Sequence, residues 1–561
     1  MGGRLGRTVR GERLRLKLGQ MGRYVAPFWL VLPLAFLVVF FAYPLAGVLS
    51  EATMAAWAWM RTPYVVGRLQ GAVGQALLST ALGMALAMPL AWVYHRYQLR
   101  FGRWQLALHA APFIMPVFVV VFGLQRLFAG LGISLSPLWT VVVAHAYYNY
   151  GFAARILRTG LDRRPRRQEA AARALGATPA AAFWRVSLPH LWPTFGAVAL
   201  LVFLFSFTSF GVVLFMGQGQ ISTLETMLYQ NLGGAFPRYD RAAALGTAQL
   251  VLNLVLFASY LRLSERTGGL EQDPVARRQR APRLVVAAQG AASLVAAAPM
   301  LLVLAGGFRL NGHWSLEPWR ALVDVGHPVH VAGFVLSRAL MLSLGYAAAT
   351  VVAAIALALT LAYASRRLPN WARRGLDTTT SLPLGTSSLL IGLGFLLAFG
   401  AGDWLDLRGK TIAIIAAHTL IAFPFAARAL LPAIRLHDAR LDEAAALLGA
   451  PPWHVLWRVH LPLLAAPLTV AAGLSAAMSL GDFGASLVLM RPDNMGLTVW
   501  IGRIDAPFDS LRKAQALALT GLLTVLAIIV IAAGERAQLG APAREASARE
   551  APPRRPMEAM P

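Results

Sequence analysis

Twelve apolar runs, each long enough to cross about 30 Å of hydrocarbon as a helix, leave this 561-residue chain few folds to choose from. They fall near 26–48, 71–94, 106–129, 137–158, 194–216 and 243–263, then near 284–306, 336–364, 378–400, 411–432, 466–490 and 514–534. Backbone in lipid must satisfy its own hydrogen bonds, and runs of this length do so as helices. The sequence is 57% hydrophobic and only 14% charged. A water-soluble chain of this size needs far more charge. The expected fold class is an all-α polytopic membrane protein with about twelve transmembrane helices, six in each half.

A net charge of +26 at pH 7 could suit nucleic acid, but its placement follows membrane topology. Basic residues crowd the N-terminus (Arg4, Arg7, Arg10, Arg13, Arg15, Lys17, Arg23) and then alternate loops: Arg96, Arg100 and Arg103; Arg163, Arg164, Arg166 and Arg167; Arg277, Arg278, Arg280 and Arg283; Arg366, Arg367, Arg373 and Arg374. The loop 130–136 has no Arg or Lys. This positive-inside pattern places both termini in the cytoplasm and gives no reason to expect a nucleic-acid partner. The first run is too long for a signal-peptide core and reads as a retained span. With no cysteine, disulfides and thiolate metal sites are excluded.

The two sets of runs are copies. Residues 169–189 read EAAARALGATPAAAFWRVSLP and residues 443–462 read EAAALLGAPPWHVLWRVHLP, with Gly176 and Gly449 standing 273 residues apart. The same offset relates Trp184 to Trp457, Arg185 to Arg458, Pro189 to Pro462, AH at 144–145 to AH at 417–418, FAAR at 152–155 to FAAR at 425–428, and Phe210-Gly211 to Phe483-Gly484. Six spans per half return the chain to its starting side, so the halves are parallel repeats about an axis along the membrane normal. The organisation expected is a basic N-terminus over 1–25, a first half over 26–263, a polar cytoplasmic linker over 264–283, a second half over 284–535, and an Ala-, Pro-, Arg- and Glu-rich disordered tail over 536–561. The long loops 49–70, 217–242 and 307–332 carry Trp and Tyr and read as outer loops.

Each repeated segment predicts a helix-turn-helix on the cytoplasmic side. An Ala-rich helix ends at Gly176 or Gly449, residues able to take the left-handed C′ conformation. A second helix begins with Pro in its first turn, at Pro179 or at Pro451-Pro452, and is expected to stop at Pro189 or Pro462, before the next span. A lone copy could be an amphipathic surface helix with no partner. Two copies in register favour a rigid peg used by a two-fold partner.

Acid-Ala-Ala, three residues, Gly, nine residues to Arg and four more to Pro: this pattern resembles the "EAA" loop of ATP-binding-cassette importer permeases of the binding-protein-dependent type. The resemblance implies the type I importer permease fold and a coupling helix docked on each of two copies of a cytoplasmic ATP-binding subunit. It also implies an extracytoplasmic solute-binding protein and residence in the bacterial cytoplasmic membrane. The coupling residues it implies are Glu443, Ala444, Ala445 and Gly449, and in the first copy Glu169, Ala170, Ala171 and Gly176. The first copy departs from the pattern, because Glu169 lies seven residues before its glycine and Ala170 takes the usual acidic place.

The resemblance implies that ATP and Mg are bound by the partner ATPase. Arg408-Gly409-Lys410-Thr411 fails as a phosphate-binding loop because Trp404 stands where a glycine is required. No catalytic constellation appears, so the chain is read as a non-enzyme that binds no cofactor itself. Among fused two-half permeases, the runs SFTSFGVVLFMGQGQISTLETMLYQNL, SLGDFGASLVL and GLTVWIGRI are most similar to thiamine permeases, with ferric-iron permeases next.

For the path itself, Asp482 lies in an apolar run opposite its repeat partner Ser209. An ionisable group at membrane depth usually faces a bundle interior or a wet path, so Ser209, Phe210, Asp482 and Phe483 are the candidate lining. An interhelical hydrogen bond is the alternative for Asp482, and aromatic packing for the phenylalanines. His145 and His418 lack a third ligand at useful spacing and read as helix-packing residues, not a metal site. Arg155 and Arg428 read as markers of the cytoplasmic helix ends, and Gly123, Gly392 and Gly394 as helix contacts. The rival class, a twelve-span carrier driven by an ion gradient, needs intramembrane charges beyond Asp482 and does not account for the doubled cytoplasmic loop.

Overall fold

The structure, a computed structural model, describes residues 29–549 apart from 164–165, 234, 269–278, 325, 328–330, 332, 367, 401–404, 436–438 and 506–508. The basic arginines of the N-terminus lie outside the described residues. Eight helices are long and apolar enough to cross a membrane: Trp29–Glu51, Pro63–Arg96, Ala180–Phe207, Tyr239–Ser264, Arg283–Gly306, Leu336–Ser365, Thr411–Arg435 and Ser510–Ile529. A ninth, Pro137–Asp162, is long enough but less apolar, because His145, Asn149, Arg155 and Arg158 lie along it.

Two of the expected spans are broken, which corrects their reading as continuous runs, and a third bend falls just before the run expected at 466–490. Gly102–Ile114 meets Val117–Gly130 at 105°, Asn370–Gly385 meets Ser388–Ala398 at 94°, and Trp457–Leu463 meets Ala465–Gly481 at 60°. The first break follows from Pro116, whose ring pushes Met115 out of the helical region to ψ 151°. At the second, Thr386 is extended and the Ser387 hydroxyl accepts the Leu390 amide at 3.0 Å, capping a new helix. The runs expected at 194–216 and 466–490 also stop early, at Phe207 and Gly481, and restart as Gly211–Met216 and Gly484–Leu489.

The repeat governs packing. Helix 63–96 lies along 137–162, and its counterpart 336–365 lies along 411–435. The first helix of each set crosses to the other set: 43–51 rests on 388–398, and 283–306 rests on 117–130. Glycines make both seams possible. A Cβ on Gly123 would stand 2.6 Å from the Pro299 carbonyl oxygen, and one on Gly394 would stand 3.1 Å from Pro44 Cβ. Gly392 gives the same close approach to Ala485. All three are helix contacts, as expected. One apolar core joins the sets through Phe118, Phe210, Phe395, Phe423 and Phe483.

Segments read as loops are more ordered than expected. Within 217–242, Leu224–Leu232 forms a helix opened by a Thr223 capping box, with Leu224 to Leu228 buried. Within 307–332, Arg309–Leu310 pairs antiparallel with His313–Trp314, ahead of helix Glu317–Val323. The linker region begins as helix to Gly268 and ends with Gln279–Arg280 paired in parallel to Tyr97–Gln98. The last helix runs to Arg549, so 536–549 is helical where disorder was expected, and 550–561 lies outside the described residues.

Candidate functional site: two pegs and a central cavity

Helix Arg166–Ala174 ends at Gly176 with φ +91°, and helix Ala439–Leu447 ends at Gly449 with φ +76°. The Ala177 amide reaches back to the Ala172 carbonyl at 3.0 Å, and the Ala450 amide to Ala445 at 3.0 Å, closing the same left-handed cap in both copies. Among the described residues no atom lies within 4 Å of a Cβ built at either glycine, so backbone conformation is what demands glycine there.

The second arm does not stop at Pro189. It passes through a wide helical turn at Phe183–Ser187 and continues as one helix, Ala180–Phe207, into the membrane. That turn bonds the Leu188 amide to the Phe183 carbonyl, an i to i+5 spacing, and so leaves room for a proline with no amide to donate. The second copy has the same turn at Leu456–His460 and bends only after Leu463. The first peg is thus the direct continuation of a transmembrane helix, and the second joins its helix through a 60° bend.

A pairing missed in the sequence holds the two arms together. The Ser187 hydroxyl donates to Glu169 Oε2 at 2.9 Å. At the 273-residue offset, His460 Nε2 stands 2.6 Å from Asp442 Oδ1, with the Tyr363 hydroxyl 2.6 Å from His460 Nδ1 and Arg366 3.5 Å from Asp442 Oδ2. The structural counterpart of Glu169 is therefore Asp442, one residue before the acid of the motif. The repeat offset applied to Glu169 would have found it. Glu443 lies on the helix, with its side chain outside the described residues. Ala170, Ala171 and Ala444 are exposed and Ala445 is half-buried. Both pegs present large apolar side chains to solvent in matching places: Leu175 is 90% exposed and Leu448 87%, while Trp184 and Trp457 are each 65% exposed.

Between the two sets of helices lies a cavity of about 690 Å³, and Ser209, Phe210, Asp482 and Phe483 all line it. Phe210 and Phe483 stack on each other, with centroids 5.6 Å apart and planes at 17°. They pack between helices and face the cavity at once. Asp482 lines the same cavity. Its Oδ2 accepts the Ser486 amide at 2.9 Å and the Ser486 hydroxyl at 3.0 Å, with His418 Nε2 at 3.5 Å.

The cavity also holds a second acid. Glu225, on helix 224–232, lines it and is 1% exposed, taking a hydrogen bond from Gln249 Nε2 at 2.8 Å. The interior therefore holds more ionisable groups than Asp482 alone. Reading 217–242 as an outer loop hid this carboxylate as a solvated one. His418 spans Ser479 and Ser486, each at 2.9 Å, and His145 Nδ1 meets Gln75 Oε1 at 3.1 Å. Both histidines make the packing bonds expected of them. Arg155 and Arg428 do not mark helix ends, since their helices run on to Asp162 and Arg435. Arg428 lines the cavity instead, 5.9 Å from the Phe257 ring centroid.

Two segments of the chain, residues 64–269 and 351–536, match the family described as binding-protein-dependent transport system inner membrane component. The chain belongs to this family. As a permease of ABC importers it is a multi-pass inner-membrane protein, a transport subunit rather than an enzyme, working with an ATPase subunit and a substrate-binding protein. It is similar to the thiamine transport system permease protein ThiP of Salmonella typhimurium, 28% identical over 83% of this chain and 89% of that protein. The ThiP of Haemophilus influenzae is 26% identical over 90% of this chain and 94% of its own length. The molybdenum transport system permease protein ModB of Mycobacterium bovis is 32% identical over 37% of this chain and 81% of its own. The permease is therefore a fused, two-half one of the thiamine type, with the family's unit present twice.

Proposed function

We propose that this permease carries thiamine or its phosphates into the cytoplasm by alternating access. In this reading two copies of an ATPase subunit grip the two pegs, both termini lie in the cytoplasm, and a soluble binding protein delivers solute to the opposite face. The observation that carries the reading is the pair of matched pegs, the first continuous with a transmembrane helix, the second joined to one through a 60° bend, and each bearing exposed Leu and Trp. A short helical link from peg to span passes motion of a partner towards the cavity. Thiamine is supported by the named function of the relatives and by the two carboxylates of the cavity, which suit a cation. Nothing favours ferric ion in its place: among the described residues no three His, Asp or Glu side chains converge.

The reading predicts that the purified permease brings down an ATPase subunit in a two-to-one ratio, and that vesicles holding the complex and the binding protein accumulate thiamine only with ATP. Accumulation without nucleotide, or a permease that purifies alone from cells expressing the ATPase, would refute it. Asp442→Asn should weaken the clasp to His460 and lower ATP-driven uptake about fivefold through a misaligned peg. Thiamine-loaded vesicles give the readout, and an unchanged rate would remove the clasp from the coupling element.

A further inference from the structure

Glu225, Asp482, His145 and Asn149 face one cavity, and what they offer it is one-sided. Gln75 donates through Nε2 to the Ser206 carbonyl at 3.0 Å, so its Oε1 is the acceptor for His145 and the proton sits on Nδ1. His145 Nε2 is then a bare lone pair. It is buried and has no partner among the described residues. Asn149 repeats the arrangement: Nδ2 donates to the His145 carbonyl at 2.9 Å, and Oδ1 is left buried with no partner among the described residues. The two residues are 2% and 1% exposed. A buried acceptor left unmade is costly, so such groups normally await a donor. The two carboxylates add a demand for positive charge. Arg428 also lines the cavity, with its guanidinium placed over the Phe257 ring.

We propose that Glu225, Asp482, His145 and Asn149 form the permease's own recognition site for a heteroaromatic cation bearing an amino group. The carboxylates meet the charge, His145 Nε2 and Asn149 Oδ1 accept the N–H donors, and Phe210 and Phe483 pack on the rings. This rests on the thiamine reading and adds how the solute is recognised after it leaves the binding protein. Thiamine has the required parts: a thiazolium with permanent charge and no N–H, and a pyrimidine whose amino group donates. Oxygen in place of that amino group would set acceptor against acceptor.

The test is ATP-driven uptake by the assembled importer in vesicles, at saturating binding protein, of thiamine and of the analogue with oxygen in place of the amino group. The near-isosteric substitutions Glu225→Gln and Asn149→Leu are each read as a ratio to the unsubstituted importer, so that the binding protein's own preference cancels. Each should lower thiamine uptake about tenfold, and Asn149→Leu should narrow the preference for thiamine over the analogue by about the same factor. Lys513→Gln, outside the cavity, should leave both rates unchanged. Only complexes that retain the ATPase subunit are scored. Unsubstituted rates and preference in either assembled variant would overturn the site. A rise in Tm of the unsubstituted complex with thiamine but not with the analogue, measured without binding protein, supports the site with no substitution, and its absence counts against it. An unsubstituted importer that moves neither compound sinks the thiamine reading, and the assigned ligand with it.

Discussion

Leu175→Glu combined with Leu448→Glu should abolish ATP-driven uptake while leaving the permease in the membrane at normal abundance. These leucines follow the last turn of the first arm of each peg and stand almost wholly in solvent, with Trp184 and Trp457 exposed on the second arm. Burying a leucine side chain contributes about 1.5–3 kcal/mol, none of which this chain collects by itself. A partner groove that covers these side chains recovers that energy. A carboxylate at the same point must be stripped of water to enter an apolar groove. We expect at least about a 100-fold loss of uptake and loss of co-purified ATPase. Neither change touches the core, so detergent-solubilised protein should remain monodisperse. Uptake within a factor of about three of normal would show that the pegs are not the docking surface.

Gly123→Val should disrupt assembly of the two halves. A Cβ there would stand 2.6 Å from the Pro299 carbonyl oxygen, which is helix backbone and cannot move aside alone. Helix 283–306 would have to lift off helix 117–130 along its length. Overpacking against rigid neighbours costs about 1–3 kcal/mol and occasionally more, enough to lower the thermal midpoint in detergent and open the seam to protease. Gly74→Ala is the matched control: nothing lies within 4 Å of a Cβ at that position in helix 63–96, so the midpoint should hold or rise slightly. Equal midpoints for the two variants would mean that the seam carries no stability.

Hydropathy made the membrane segments legible, and the 273-residue offset paired them, because both signals are one-dimensional. The breaks at Pro116 and Thr386 were not recognised, since an apolar run keeps its composition whether it crosses straight or turns back on itself. Pro116 alone was a usable warning, through its effect on Met115. The pegs were read nearly in full; what failed was the stop at Pro189, because a widened turn absorbs a proline that an ordinary helix would reject. Asp482 was conspicuous as a lone charge in an apolar run. Glu225 was not, because TLETM sits in a stretch with the composition of a surface loop, and only the fold of 224–232 into the core makes that carboxylate internal. His145 and Asn149 were legible as packing residues, but their unmade acceptors depend on which way Gln75 and Asn149 point, which spacing cannot encode.

The exchange of first helices bears on how the molecule can move. Each of these helices lies against the last helix of its own half and the broken span of the other, at seams too tight to admit a methyl group freely. In the alternating access proposed above, two such fulcra would let the halves rock without parting. A see-saw pinned at Gly123 and Gly394 would open one mouth only as it shut the opposite one.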